Sequence, residues 1–150
     1  MPKDRRMSNS LYDRDFYAWT HEQAALLRAG RLDAADIDNI AEEIESMGRS
    51  EKRELVGRLA VLLQHLLKWR FQPDFRSNSW RLTIEEQRNS LADHLDENPS
   101  LRAQLDSAVG TAYRSARLKA AAETGLARDS FPDVCPFTCE QAMSQAFWPE

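Results

Sequence analysis

Leucine dominates one window of this chain. From Leu55 to Trp69 the sequence reads LVGRLAVLLQHLLKW, and at helical spacing Leu55, Leu59, Leu62, Leu63, Leu66 and Leu67 gather on one broad face, with Gly57, Gln64 and Lys68 on the other. A face that wide needs more than one partner helix, so the pattern predicts a central apolar helix over 50–71 inside an all-α core. Ser50 precedes it as a cap. Pro73 stops it near Phe71, because proline has no amide to extend the ladder and disfavours helix at Gln72. Upstream, Ile37, Ile40, Ile44 and Met47 recur at intervals of 3, 4 and 3, which predicts an amphipathic helix from about 33 or 36 to Met47, with Gly48 ending or kinking it.

The flanking windows carry weaker stripes. Tyr12 to Ala29 reads as a first helix through Phe16, Trp19, Leu26 and Leu27, with Gly30 as its C′ residue and Leu32 as the apolar contact that accompanies such a cap. Ser79 is the expected cap of a helix from Trp80 to about Asp96, whose stripe is Trp80, Ile84, Leu91 and Leu95. Asn98-Pro99 opens a fifth helix to Glu123 through Leu101, Leu105, Val109, Ala112, Tyr113 and Ala116; its alanines suit a close helix approach, and Gly125 ends it. Thr138 and Gln141 form a T-x-x-Q capping box before a short last helix ending near Phe147 and Trp148, which either serve a dimer or cover the core. The sum is an all-α, single-domain multi-helix bundle of about five to six helices: residues 1–10 a flexible tail, 11–150 one helical domain.

Composition narrows the class. With 150 residues, 42% hydrophobic and 29% charged, the chain is too apolar for disorder and long enough to bury a core without metal or disulfide staples. A net charge of -4 and a pI near 5.5 give no drive toward nucleic acid or an anionic membrane. The N-terminus lacks the apolar stretch of a signal peptide and no run reaches a membrane span, so the expected location is the cytoplasm. Cys135 and Cys139 form an isolated C-x3-C; with no second ligand pair they read as plain thiols, and neither a metal nor a cofactor is expected.

Charge is unevenly spread. Asp33, Asp36, Asp38, Glu42, Glu43 and Glu45 have no base between Asp33 and Met47, whereas nine Lys or Arg face five acids between Arg49 and Arg88. One reading sets the acidic helix beside the basic segments, neutralising them. The other gathers Lys68, Arg70, Arg76, Arg81 and Arg88 around the turn after the central helix, where Trp69, Phe71, Phe75 and Trp80 interleave, to hold a phosphate or an acidic partner. His65 sits at the edge of the leucine face, as a hydrogen-bonded boundary residue or as the partner of Glu42, Glu43 or Glu45 in an acid–base pair or metal site. His21 and His94 look isolated, and no G-x-S-x-G, P-loop, H-E-x-x-H or dinucleotide fingerprint occurs.

The ordered strings YDRDFYAWT, NIAEEIESMGRSEK, LLQHLLKWRFQP, SWRLTIEEQR, NPSL, AYRSAR, AAETGL and FPDVCPFTCEQ resemble the bacterial family catalogued as domain of unknown function number 29, over about residues 11–150. The resemblance implies several packed helices in a small soluble bacterial protein and brings no activity, cofactor or catalytic residue. Cys139 departs from the family pattern, where an apolar residue follows CP-aromatic-Thr, which weighs further against a two-cysteine metal site. Matching positions include Trp19, Glu42, Glu43, His65, Lys68, Trp69, Pro73, Ser79, Trp80 and Arg88. The expected site is a polar network of Glu42, Glu43, His65, Lys68, Arg81 and Arg88, with Trp69 beside it, where the acidic, central and Trp80 helices join. The expected function is a protein-interaction or regulatory module, its surface near the His65–Arg81 turn, its partner an unidentified protein and its oligomeric state open. The rival is a small hydrolase or metal-dependent enzyme using Glu42, Glu43 and Glu45 with His65.

Overall fold

A computed structural model describes residues 10–150. Its α-helices are α1 (Leu11–Arg14), α2 (Phe16–Arg28), α3 (Ile37–Phe71), α4 (Asn78–Glu97), α5 (Leu105–Thr124) and α6 (Cys139–Met143), with 3₁₀ turns at Pro73–Phe75, Pro99–Gln104 and Arg128–Ser130. No strand occurs among the described residues, which is the all-α class the leucine window predicts. No helix among them is long and apolar enough to cross a membrane. Nine of the ten residues expected to form a flexible tail lie outside the described ones.

The acidic stretch and the leucine stretch are one helix. α3 runs 35 residues without interruption, so Ser50 caps nothing and the expected joint is absent. The reason is energetic. Gly48 keeps an ordinary helical backbone, the only positive-φ glycines among the described residues being Gly30 and Gly125. A lone helical glycine costs about 1 kcal/mol relative to alanine, too little to break a helix that good formers continue on both sides. The end at Phe71 is as predicted.

The chain divides into two compact units, Met1–Arg49 and Ser50–Glu150. In the first, Asp15 interrupts the expected Tyr12–Ala29 helix because its carboxylate accepts the Ala18 amide at 3.0 Å and so starts α2. Gly30, at φ 72°, closes α2 with the paired bonds Arg31 N to Leu26 O and Gly30 N to Leu27 O. That motif takes its apolar contact from the position Arg31 occupies, so Leu32 lies one place too late and is exposed. Asp36 ties the returning chain to α2: its carboxylate accepts the Trp19 indole N–H at 3.1 Å and its amide donates to Gln23 at 2.7 Å. Trp19 and Gln23 are the only buried residues described in this unit.

The second unit holds the core. Leu55, Leu59, Leu62, Leu63, Leu66 and Leu67 are fully buried, in one cluster with Ile84, Leu91 and Leu95 of α4 and the α5 seam Ala108, Ala112, Ala116 and Ala120. Fully burying one leucine contributes about 1.5–3 kcal/mol, so this window outweighs any polar contact in the unit. Ser77, two places before the expected Ser79, caps α4, its hydroxyl accepting the Trp80 amide at 3.2 Å. Pro99 starts a 3₁₀ turn rather than α5 itself, which begins at Leu105. Gly125, at φ 77°, and the reciprocal Thr138–Gln141 box end α5 and open α6 as predicted.

Candidate functional site

Of the side chains expected at the site, Trp69, Arg81 and Arg88 come together, around a residue left open by the sequence. The Trp69 and Trp148 rings lie 4.8 Å apart, and the Arg81 guanidinium stands 5.9 Å from the first and 5.4 Å from the second. Arg76 stands 5.0 Å from Trp69 and donates to the carbonyls of Trp69 and Pro149. Arg88, 1% exposed, donates to Ala142 O at 2.7 Å and to Phe147 O at 2.8 Å, beneath Trp148 at 5.2 Å. Burial pulls its guanidinium down to about 10, against the opposing pull of Glu85, and its Nη1 has no partner. The aromatic–basic interleaving is therefore real, but it fastens the segment after α6: Phe147 and Trp148 cover the core.

Lys68, expected on the outer face, is 6% exposed because α5 passes over it: its ammonium donates to Glu123 and stands 4.6 Å from the Trp80 ring. The Lys68 hydrogen bond holds the Glu123 carboxyl below the usual range. His65 donates Nδ1–H to Val61 O at 2.8 Å, the boundary arrangement, and burial pushes its ring down. Glu42 and Glu43 belong to the first unit and have partners there. Arg49 reaches Glu42 at 3.0 Å and Glu45 at 3.9 Å, and the Tyr12 hydroxyl donates to Glu43, a bond that pushes the phenol up to about 12.

Sequence reasoning missed Glu123 and Trp148 as partners; both are more than fifty residues distant, and no periodicity links them to α3 or α4. The periodicity over 37–47 also predicts core where the structure has surface. Ile37, Ile44 and Met47 are 50%, 58% and 61% exposed. With Phe16, Tyr17, Leu27 and Leu32 they make seven of the eleven large exposed hydrophobics described, all in the first unit. The acids Asp38, Glu42 and Glu45 are exposed on the same helical stretch.

Two grooves lie elsewhere in the second unit. One of about 540 Å³ runs between α5 and residues 133–139, lined by Val109, Tyr113, Val134, Phe137 and both cysteines. Cys135 and Cys139 form no disulfide, and burial pushes both thiols up, which lowers their reactivity. The other, of about 440 Å³, is lined by Leu95, Leu105, Cys139 and Met143 among others. Neither groove reaches His65, Lys68, Trp69, Arg81 or Arg88.

A family model described as domain of unknown function DUF29 matches residues 11–148. The chain belongs to this family. The DUF29 match spans both compact units, so the acidic stripe and the leucine core fall within one family domain. No curated protein and no solved structure matches the chain.

Proposed function

We propose that this DUF29 chain is a protein-interaction module whose docking surface is the exposed apolar stripe Ile37–Ile44–Met47, and whose partner is an amphipathic helix with cationic flanks. The observation that carries this reading is the concentration of exposed apolar side chains on the first unit, beside six acids between Asp33 and Met47; Arg31 pairs with Asp33 and Arg49 with Glu42 and Glu45, which leaves the stretch 31–49 net acidic. An apolar stripe at helical spacing takes another helix by the same ridge-and-groove contact that joins helices in a core. The acidic borders select a cationic partner, and a second copy of the same acidic surface meets like charges. This moves the interaction surface away from the His65–Arg81 turn, since Lys68, Trp69 and Arg88 are buried there. A reducing compartment such as the cytoplasm suits two thiols that stay unpaired.

Fluorescence anisotropy of the full chain with two labelled synthetic amphipathic helices, one of Leu and Lys and one of Leu and Glu, tests the proposal. The Leu/Lys helix is expected to bind at least tenfold more tightly. The variant Ile44→Ser with Met47→Ser is expected to weaken it tenfold or more, while leaving the helical circular dichroism unchanged. Equal binding of both peptides overturns the reading, and so does binding that ignores the serines. A wild-type dimer by light scattering that dissociates in the serine variant also overturns it, by assigning the stripe to a second copy.

A further inference from the structure

His94 has no metal-binding or catalytic motif around it in the sequence, yet it is 4% exposed and surrounded by oxygen acceptors. Its Nε2 lies 2.9 Å from the main-chain carbonyl of Glu51, and its Nδ1 lies 3.1 Å from Glu54 Oε2 and 3.6 Å from Glu51 Oε2. A carbonyl only accepts, so the single N–H of a neutral imidazole belongs on Nε2. That leaves the Nδ1 lone pair pointing at two carboxylate oxygens, an arrangement that repels until a positive species enters between them.

We infer that Glu51, Glu54 and His94 form a binding site for a first-row divalent transition ion such as Zn²⁺. Three features fit such an ion. Donor atoms bound about 2.0–2.2 Å from one such ion stand roughly 3.0–3.6 Å from each other, which is the spacing of Nδ1 from both carboxylates. All three residues can bring a donor atom within 4.8 Å of the others. The Nε2–H bond to Glu51 O is the outer contact that orients a metal-bound histidine.

The helices explain how the set is assembled. Glu51 and Glu54, three apart, share a face of α3 just before Leu55, and His94 projects from the last turn of α4. Both carboxylates are about half exposed, which leaves coordination positions for water. One nitrogen and two oxygens suit Zn²⁺, Co²⁺ or Fe²⁺ better than Mg²⁺ or Ca²⁺, which prefer oxygen alone. Arg58 competes, donating to Glu54 Oε2 at 3.2 Å. This inference is independent of the stripe on the first unit.

The test is titration of the chelator-stripped full chain with ZnCl₂ by calorimetry, with CoCl₂ by visible absorption, and with MgCl₂ as contrast. The expected result is one Zn²⁺ per chain, a rise of several degrees in Tm, and no comparable response to Mg²⁺. Glu51→Gln with Glu54→Gln keeps the buried ring in place and is expected to weaken Zn²⁺ at least a hundredfold; Arg58→Gln is expected to tighten it. Imidazole ¹⁵N shifts of His94 in the wild-type chain give a readout that does not depend on a variant folding, Nδ1 moving on metal addition while Nε2 stays protonated. The inference is overturned by no saturable Zn²⁺ binding, by equal binding of Mg²⁺, by an unaffected double variant, or by a protonated Nδ1 at saturating Zn²⁺.

Discussion

Lys68 and Glu123 illustrate how a polar pair acts inside this core. The ammonium is nearly buried, so leaving it without a partner costs far more than the pair contributes when intact. Lys68→Met, which removes the charge and keeps the stem, is therefore expected to be tolerated better than Glu123→Leu, which strands the ammonium. The pH dependence follows from the same contacts. Glu123 titrates below its unfolded value, so its contribution is present above the ordinary carboxylate range and is lost as pH falls through its folded pKa. His65 is also held down by burial, so protonating it costs stability as pH falls below about 6.5, the ordinary imidazole value. Both effects act in one direction. Urea midpoints are expected to fall in two steps on acidification, and His65→Gln is expected to remove the upper one. An unchanged upper step in that variant rules out His65 as its source.

The helices show what pattern alone specifies. Leu55 to Leu67, the stop at Phe71, the Gly125 end and the Thr138–Gln141 box were legible because each depends on nearest neighbours or on a short period. The length of α3 was not, because glycine is permissive: it allows an end without requiring one. Gly48 and Gly57 have open space where a Cβ would stand. Gly48→Ala is accordingly expected to stabilise the chain by about 0.5–1 kcal/mol in urea unfolding. Destabilisation there would show that the helix bends at this point. The Trp69–Arg81–Arg88 grouping was half legible, as residue types near one turn. Its occupant, Trp148, lies across a sequence separation that only tertiary structure closes.

Taken together, the two units differ in how they are held. Nineteen buried apolar residues form the core cluster of the second, whereas the first buries only Trp19 and Gln23 among its described residues and relies on hydrogen bonds to the carboxylates of Asp15, Asp36 and Glu43. Local opening is governed by buried apolar contacts, so amides of α2 and of residues 41–49 are expected to exchange hydrogen at least a hundredfold faster than those of 59–67. Equal protection would mean that the first unit is covered in solution. Saturation with the Leu/Lys helix is expected to slow exchange in α2 and residues 41–49, while Zn²⁺ should act near Glu51 and His94.

The alanine seam of α5 carries a consequence for how this helix can change. Ala108, Ala112, Ala116 and Ala120 recur every fourth position with almost no exposed surface, while Gly110 between them faces open space. Growth is forbidden along one edge and free along the other, so substitutions accumulating in α5 would leave a four-residue rhythm of silence, a record of helix contact readable from variation alone.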